Sequence, residues 1–204
     1  MEIAALPVST ESLTEYSTVS IAFEVRSRLT ITLLNDGLGG MLLREEAVIP
    51  PYVKDYGETG EEGPMRWLER FNTSNWVLFL AREGDMPVGG AAVACHTPGV
   101  NMLRDSKDIA VLWDIRVHPE RRRSGIGTLL FSEAARWAGD RNCNYLKIET
   151  QNVNVPACRF YVRQGCLLGE IDRFAYNEQH LAHETMLVWY LGLQRATTTA
   201  GGKR

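Results

Sequence analysis

A strand, a turn rich in arginine and glycine, and an amphipathic helix follow one another between residues 109 and 142. This unit constrains the fold more than any other part of the sequence. IAVLWDIRVHP is apolar enough for a buried strand and is terminated by Pro119. ERRRSGIG follows, and apolar residues then recur every three or four positions, which predicts a helix over 125–142. The turn of residues 121–127, called the glycine turn below, therefore lies at the start of a helix.

The glycine turn combines the features that a phosphate-binding loop needs. The first N–H groups of a helix are unpaired and carry a partial positive charge, and both properties suit phosphate oxygens. Gly125 and Gly127 have no side chain that would keep a ligand away from these groups. Arg122 and Arg123 add guanidinium groups that form charge-assisted hydrogen bonds to phosphate. We interpret the turn as a diphosphate-binding site.

Other interpretations of the glycine turn have to be weighed. A Gly-x-Gly often serves loop geometry alone, and adjacent arginines often form a solvated face. The turn is not a Walker A loop, since G-x-x-x-x-G-K-[ST] is absent, and not a dinucleotide fingerprint, since Leu130 occupies the third glycine position. The strand before the turn and the helix after it favour phosphate binding.

The rest of the chain predicts a mixed α/β sheet in a single domain over residues 1–192. STESLTEYST and PMRWLERF predict short helices, and residues 20–49 predict a hairpin with NDGLGG as its turn. NWVLFLARE and VGGAAVACH predict a second hairpin that is apolar on both faces. YLKIETQ predicts a strand, VPACRFYVRQG a helix, and CLLGEIDRFAY and HETMLVWYLGL the final strands. We expect a disordered tail over 193–204.

Composition excludes several classes of function. The 204 residues carry a net charge of −3, so no global basic field attracts nucleic acid. No apolar run approaches the roughly 18 residues of a membrane span, and the N-terminus does not resemble a secretory signal. The cysteines form no C-x-x-C pair and the histidines show no metal or triad pattern, so we expect buried free thiols at Cys95, Cys143, Cys158 and Cys166. We expect a cytoplasmic protein that binds no metal, nucleic acid or membrane.

Two motifs in register resemble those of one enzyme family. R-x-x-G-x-G, formed by Arg122, Gly125 and Gly127, resembles the acetyl-CoA diphosphate loop of the GCN5-related N-acetyltransferase (GNAT) family. About 30 residues later, the sequence resembles that family's second motif, N-x-x-A-x-x-x-Y-x-x-x-G-F, through Asn154, Ala157, Tyr161 and Gly165. Cys166 stands where the motif usually has Phe. The resemblance extends over about residues 76–190.

The resemblance implies the GNAT fold, a mixed central β-sheet flanked by helices, with acetyl-CoA as co-substrate. In this family the main chain of the fourth sheet strand pairs with pantetheine where it diverges from the fifth. The residues that the resemblance assigns to acetyl-CoA are Ile115, Arg116, Val117, Arg122, Arg123, Ser124, Gly125, Ile126, Gly127, Thr128, Asn154, Ala157 and Tyr161.

Within the family, the chain resembles the streptothricin (nourseothricin) acetyltransferases. Asp114 before IRV, the ETQN segment, the Asp172-x-x-x-Tyr176 spacing and the N-terminal hairpin are all similar to that subgroup. The resemblance implies acetylation of the β-lysine amine of streptothricin, a small cationic substrate bound by Asp114, Glu149, Asp172 and Tyr176. The acidic loop, with Asp55, Glu58, Glu61 and Glu62, is a further candidate contact for a cation.

Acetyl transfer to an amine requires a base and an acid. A lysine-like amine costs about 4.6 kcal/mol to deprotonate at pH 7, which calls for a general base. Asp114 and Glu149 are the candidates, without an assignment of which binds the cation and which takes the proton; pairing of one of them with Arg or Lys is the alternative. By its motif position Tyr161 is the candidate acid for the leaving thiolate, and a half-buried helix aromatic is the alternative.

Two other functions stay open at this point. The same fold acetylates other amines, such as an aminoglycoside, a polyamine or a protein amine, and an acyl-CoA-binding module without catalysis is a third interpretation. A homodimer is also left open.

Overall fold

A seven-stranded sheet forms the centre of the protein, whose computed structural model describes residues 1–56, 63–176, 181 and 184–193. In chain order its elements are β1 (Glu2–Leu6), α1 (Thr10–Ser17), β2 (Phe23–Leu33), β3 (Met41–Lys54), α2 (Trp67–Arg70), β4 (Trp76–Glu83), β5 (Met86–Cys95), β6 (Ile109–Val117), α3 (Ile126–Asp140), β7 (Tyr145–Gln151), α4 (Val155–Arg163), β8 (Leu167–Asp172) and β9 (Met186–Gly192).

The strand order in the sheet is β1-β4-β5-β6-β7-β9-β8, and β2 and β3 form a separate two-stranded ribbon. Neighbouring strands are antiparallel except β6 and β7, which are parallel. A parallel pair needs a crossover connection, and the glycine turn with α3 supplies it. The predicted mixed α/β sheet is confirmed, and so is the hairpin over 20–49, although β3 continues to Lys54.

The helices cover both faces of the sheet and define two apolar cores. On one face α3 and α4 pack against the sheet, and this core includes Phe79, Leu112, Leu130, Phe131 and Ile148. On the other face α1 and α2 pack against the sheet, and this core includes Leu13, Tyr16, Trp67, Leu78 and Leu80. Successive residues of β4 therefore point into different cores, which explains why this strand is apolar at every position from Trp76 to Ala81.

The pairing of β6 with β7 ends halfway along both strands. It joins Ile109–Leu112 to Tyr145–Ile148, and no further pair follows along these two described strands. On its other side β6 has a register shift against β5, where Trp113 lies between the paired residues Leu112 and Asp114. The two strands therefore diverge beyond Leu112 and leave a gap in the sheet.

Several details differ from the sequence prediction or lie outside the described residues. β1 was not predicted, because EIAAL is too short to show a period, and it pairs with β4 at the edge of the sheet.

All four cysteines are buried free thiols, as predicted. None of the described helices combines the length and the apolar character that crossing a membrane requires. Residues 57–62, with Glu58, Glu61 and Glu62, and residues 194–204 lie outside the described residues.

Candidate active site

A cleft of about 1370 Å³ opens where β6 and β7 diverge. It reaches from the glycine turn and α4 on one face of the sheet to α2 on the other face. Most of the residues predicted from the sequence line it together, namely Asp114, Ile115, Arg116, Val117, Arg122, Arg123, Gly125, Gly127, Thr128, Glu149, Asn154, Ala157 and Tyr161. Residues far apart in the sequence thus share one concave site, which is the usual location of an active site.

The glycine turn gives α3 an N-terminus without a side-chain cap. Gly125 is the N-cap residue at φ 92°, a left-handed conformation that glycine adopts without strain. It offers no side chain to the N–H groups of the first turn, which start at Ile126. The side chain of Ile126 is buried in the core, so only its main chain is available to a ligand. Ser124 donates its hydroxyl to the carbonyl of Arg121 at 2.5 Å.

Arg122 makes contacts within the protein that the sequence did not predict. Its Nε donates to the carbonyl of Val117 at 3.1 Å, and its Nη2 donates to the carbonyl of Ala22 at 2.6 Å. The side chain thereby joins the glycine turn to the end of β6 and to the residue just before β2. Burial lowers the pKa of Arg122. A diphosphate contact from this side chain stays a prediction, and a structural role is observed.

Asp114 and Arg116 form a buried ion pair on β6. Arg116 also donates from Nη1 to the carbonyl of Val19 at 3.2 Å, and its guanidinium lies 4.5 Å from the ring centroid of Tyr16. Burial alone lowers the pKa of Arg116, but the charge of Asp114 and its hydrogen bonds, together with Tyr16, outweigh this effect and raise the pKa. Of the alternatives left open by the sequence, pairing with a nearby arginine is thus the one observed for Asp114.

Tyr161 lies on α4 with its ring packed between Phe131 and Phe160, at centroid distances of 6.0 and 5.3 Å. It is buried and lines the cleft. Burial raises the pKa of Tyr161, and the negative charge of Asp114 raises it further. The phenol therefore holds its proton more tightly than an exposed tyrosine does.

Asn154 caps the N-terminus of α4, where its Oδ1 accepts a hydrogen bond of 3.2 Å from the N–H of Ala157. This is the structural alternative for Asn154, and it places the residue and Ala157 on the wall of the cleft. The cap fixes the start of the helix that carries Tyr161.

A series of hydrogen bonds connects four side chains in the order Tyr56, Gln151, Tyr176 and Glu149. We call these four residues the glutamate network. The hydroxyl of Tyr176 donates to Oε1 of Glu149 at 2.9 Å and accepts from Nε2 of Gln151 at 3.0 Å. The hydroxyl of Tyr56 donates to Oε1 of Gln151. Burial, followed by the charge of Glu149, raises the pKa of Tyr176. Tyr176 is not among the residues that line the cleft, and its contact with Glu149 is the interaction observed; the predicted contact of Tyr176 with the substrate stays a prediction.

Gln151 and Tyr56 were not identified from the sequence. Gln151 carried a usable signal, because it follows Glu149 by two positions on a strand and so points to the same side of the sheet. Tyr56 carried none, because it reaches the site from the end of β3.

Asp172 does not join the other predicted residues. It is exposed at the end of β8, and its Oδ1 accepts a hydrogen bond of 2.8 Å from the N–H of Phe174. This contact is an Asx-turn within the loop after β8, and Asp172 lies outside the cleft wall. A substrate contact by Asp172 stays a prediction without support from this geometry.

The two ends of the cleft differ in chemistry. At the end formed by α4 and the glycine turn, the wall includes the arginines Arg122, Arg123, Arg159 and Arg163. At the end that faces α2, the wall includes Trp67, Met102 and Trp113. The first end suits phosphate groups, and the second suits an organic cation beside aromatic rings.

Comparison with known proteins gives concordant results. The model of the Acetyltransferase (GNAT) family matches residues 43–166. Streptothricin acetyltransferase A of Bacillus subtilis (strain 168) is 35% identical over 146 residues, which cover 72% of this chain and 76% of that protein.

Two solved structures share the architecture. A Bacillus anthracis (strain Ames) protein in complex with acetyl coenzyme A superposes with a TM-score of 0.71 at 25% identity, over 95% of this chain and 99% of that one. The crystal structure of nourseothricin acetyltransferase superposes with a TM-score of 0.73 at 22% identity, over 95% of this chain and all of that one. The second similarity establishes the fold alone.

Proposed function

The chain belongs to the acetyltransferase (GNAT) family, and on that premise we propose that it acetylates streptothricin on an amino group of its β-lysine part. It is an acetyltransferase that uses acetyl-CoA. The observation that carries the proposal is the single cleft in which the glycine turn, the free edge of β6, Tyr161 and Glu149 come together.

The phosphate end of the cleft fits coenzyme A. The uncapped N-terminus of α3 and the neighbouring arginines would hold the diphosphate. Ile115 and Val117 pair with β5, but among the described residues no strand pairs with them on their side toward β7. Their main-chain groups there, of which the Val117 carbonyl also accepts from Arg122, would hold the pantetheine amides. Acetyl-CoA supplies an acetyl group activated as a thioester. Binding along this line would bring the thioester to the region between β6 and β7 and fix its orientation.

Glu149 is the better candidate for the proton acceptor. Protonating Asp114 would leave the guanidinium of Arg116 buried without its counter-ion, which costs about 3–5 kcal/mol. Glu149 accepts a hydrogen bond from the neutral hydroxyl of Tyr176. We assign Glu149 to the amine, either by direct contact or through one water molecule, and Asp114 to the support of β6.

Tyr161 is the proposed proton donor to the thiolate. Its phenol keeps its proton, and the residue lies on the cleft wall on α4, the helix next to the glycine turn. The ammonium group gives one proton to Glu149, and the free amine attacks the thioester carbonyl and forms the C–N bond. When the C–S bond breaks, the sulfur takes the proton of Tyr161, and the second proton, released by the new amide nitrogen, restores Tyr161; Glu149 returns its proton to solvent.

The acceptor end suits a cationic amine. Glu149 supplies a negative charge, and the aromatic residues Trp67 and Trp113 also line the cleft. This chemistry supports streptothricin, the substrate in the name of the Bacillus subtilis relative, and it also suits other organic cations. An assay across different amines therefore identifies the acceptor.

Release of free thiol from acetyl-CoA, measured across a panel of amines, tests the proposal. We expect streptothricin to exceed kanamycin, spermidine and a lysine peptide in kcat/KM by at least 10²-fold, and E149Q to lose this activity. A sensitive bacterium expressing the chain should grow on streptothricin but not on an aminoglycoside. Turnover of another amine at equal or greater kcat/KM would overturn the proposal.

A further inference from the structure

Gln151 lies at the centre of the glutamate network, between Tyr56 and Tyr176. It receives a hydrogen bond from Tyr56 on one side and donates one of 3.0 Å to Tyr176 on the other. Tyr176 then donates to Glu149 at 2.9 Å. Gln151 is therefore one residue removed from the carboxylate that we assign to the amine.

The charge of Glu149 fixes the direction of every hydrogen bond in the network. An ionised carboxylate only accepts, so the single proton of Tyr176 must point to Glu149. The oxygen of Tyr176 must then accept, which requires Gln151 to present its NH₂ group on that side and its carbonyl to Tyr56. A side-chain amide meets both demands at once, whereas a carboxylate or an apolar side chain does not.

The sheet itself gives this part of β7 little support. Glu149 and Gln151 lie beyond the last residue of β7 that pairs with β6, so β9 is their only strand neighbour among the described residues. The residues that complete the network come from outside the sheet pairing: Tyr56 follows β3 and Tyr176 follows β8. The hydrogen bonds thus hold Glu149 where the strands have separated to admit substrates.

We propose that Gln151 is a positioning residue, which orients the carboxylate of Glu149 toward the amine acceptor through Tyr176. This inference rests on the proposed function, because it takes Glu149 as the group that faces the amine. Aligned donors favour the ionised form of a carboxylate. Gln151 therefore also keeps Glu149 charged in the free enzyme, ready to bind a cation and to accept its proton.

A double-mutant cycle between Q151M and E149Q tests the inference, because methionine keeps the length of the side chain and removes both hydrogen-bonding groups. We expect Q151M to lower kcat by about 10- to 10²-fold, the size of effect that a misplaced group produces. The KM for acetyl-CoA should not change. The acidic limb of the kcat/KM profile should move to higher pH by about one unit, since Glu149 loses support for its charge.

In the E149Q background, Q151M should lower the residual turnover no further, because a residue that acts through Glu149 has nothing left to act on. Y176F removes the hydroxyl that transmits the effect, so it should reproduce the shift of the acidic limb. If Q151M lowers the melting temperature, the shift of the acidic limb in Y176F tests the inference in its place. Y145F is the matched control, since Tyr145 lies on the same strand with its side chain about half exposed.

An equal loss caused by Q151M in the wild-type and E149Q backgrounds would overturn the inference, and so would an unmoved acidic limb in both Q151M and Y176F. If E149Q kept full turnover, the assignment of Glu149 itself would fail. An inactive E149Q with a fully active Q151M would overturn the role of Gln151 alone, so the two failures are distinguishable.

Discussion

The carboxylate of Asp114 and the guanidinium of Arg116 form an ion pair from alternate positions of one strand, with 8% and 7% of their side chains exposed. The pair lies beside the register shift of β6 and is covered by the ring of Tyr16 from α1. It therefore fixes the strand at the point where β6 leaves β7. The ion pair is the observation behind our proposal that Asp114 supports the site while Glu149 accepts the proton.

Replacing Asp114 should cost stability before it costs chemistry. D114N removes the charge opposite a buried guanidinium, so we expect the free energy of unfolding to fall by about 3–5 kcal/mol in denaturant titrations. E69Q is the control, because Glu69 pairs with Arg66 at the surface and should contribute less than about 1 kcal/mol. If D114N were as stable as E69Q, the buried pair would not have this role.

E149Q should lower activity without lowering stability, in contrast to D114N. The substitution keeps the shape of the side chain and removes the proton acceptor, so kcat/KM for the amine should fall by about 10²- to 10⁴-fold. Stability and the KM for acetyl-CoA should stay close to wild type, as measured by thermal melting and steady-state kinetics. A folded D114N that loses more activity than E149Q would reverse the assignment of the two carboxylates.

Y161F should lower kcat by about 10²-fold or more and leave the KM for acetyl-CoA unchanged, since only the proton for the thiolate is lost. Because burial raises the pKa of Tyr161 above its usual value, its ionisation should not limit activity below pH 10. A basic limb below pH 10 that disappears in Y161F would contradict this environment, and unchanged turnover would remove Tyr161 as the acid.

G127A should separate coenzyme binding from folding. A Cβ built on Gly127 would lie 3.7 Å from the nearest atoms of Val117 and Phe160, which is ordinary contact, and alanine favours a helix. We expect unchanged or slightly higher stability and a raised KM for acetyl-CoA, because the methyl group would lie among the N–H groups of the first turn. G125A is the contrasting variant, since its φ of 92° makes it strained. Normal acetyl-CoA binding by G127A would argue against a diphosphate at this turn.

Stability should decline above about pH 10 because of buried tyrosines. Burial, followed by the charge of Asp114, raises the pKa of Tyr16 well above its usual value. An unfolded tyrosine ionises near pH 10 while the folded one keeps its proton, so rising pH favours the unfolded state by up to about 1.4 kcal/mol per unit. Y16F should reduce this slope in denaturant titrations between pH 9 and 11, and Y145F serves as the control. An identical slope in Y16F would contradict the prediction.

Local patterns predicted the elements that depend on neighbours in the sequence. The alternation in residues 20–49 indicated the β2–β3 ribbon, and the Ser-rich segment before α1 indicated its start, where Ser9 and Ser12 form a reciprocal cap. Pro156 and Gly165 marked the limits of the helix that carries Tyr161. β1 was not predicted, because this five-residue edge strand is stabilised by pairing with β4 and its sequence shows no hydrophobic period.

The candidate site also has one part that was predictable from the sequence and one part that was not. The glycine turn was predictable because its glycines, its arginines and the following helix lie within one short stretch, and the hydrogen bonds and dipole of a helix end act over a single turn. The partner of Asp114 was not predictable, because it depends on how α1 packs on β6. The contacts of Gln151 were not predictable either, because they depend on where Tyr56 and Tyr176 meet β7.

The sequence by itself determined the α/β order of elements, the glycine turn at the start of a helix and the residue types available for acetyl transfer, since these follow from interactions between residues close along the chain. The tertiary structure alone decided that Asp114 pairs with a buried arginine and that Glu149 accepts a hydrogen bond from Tyr176. The physical reason is that burial and charge pairing depend on distances across the fold, which residue spacing does not specify.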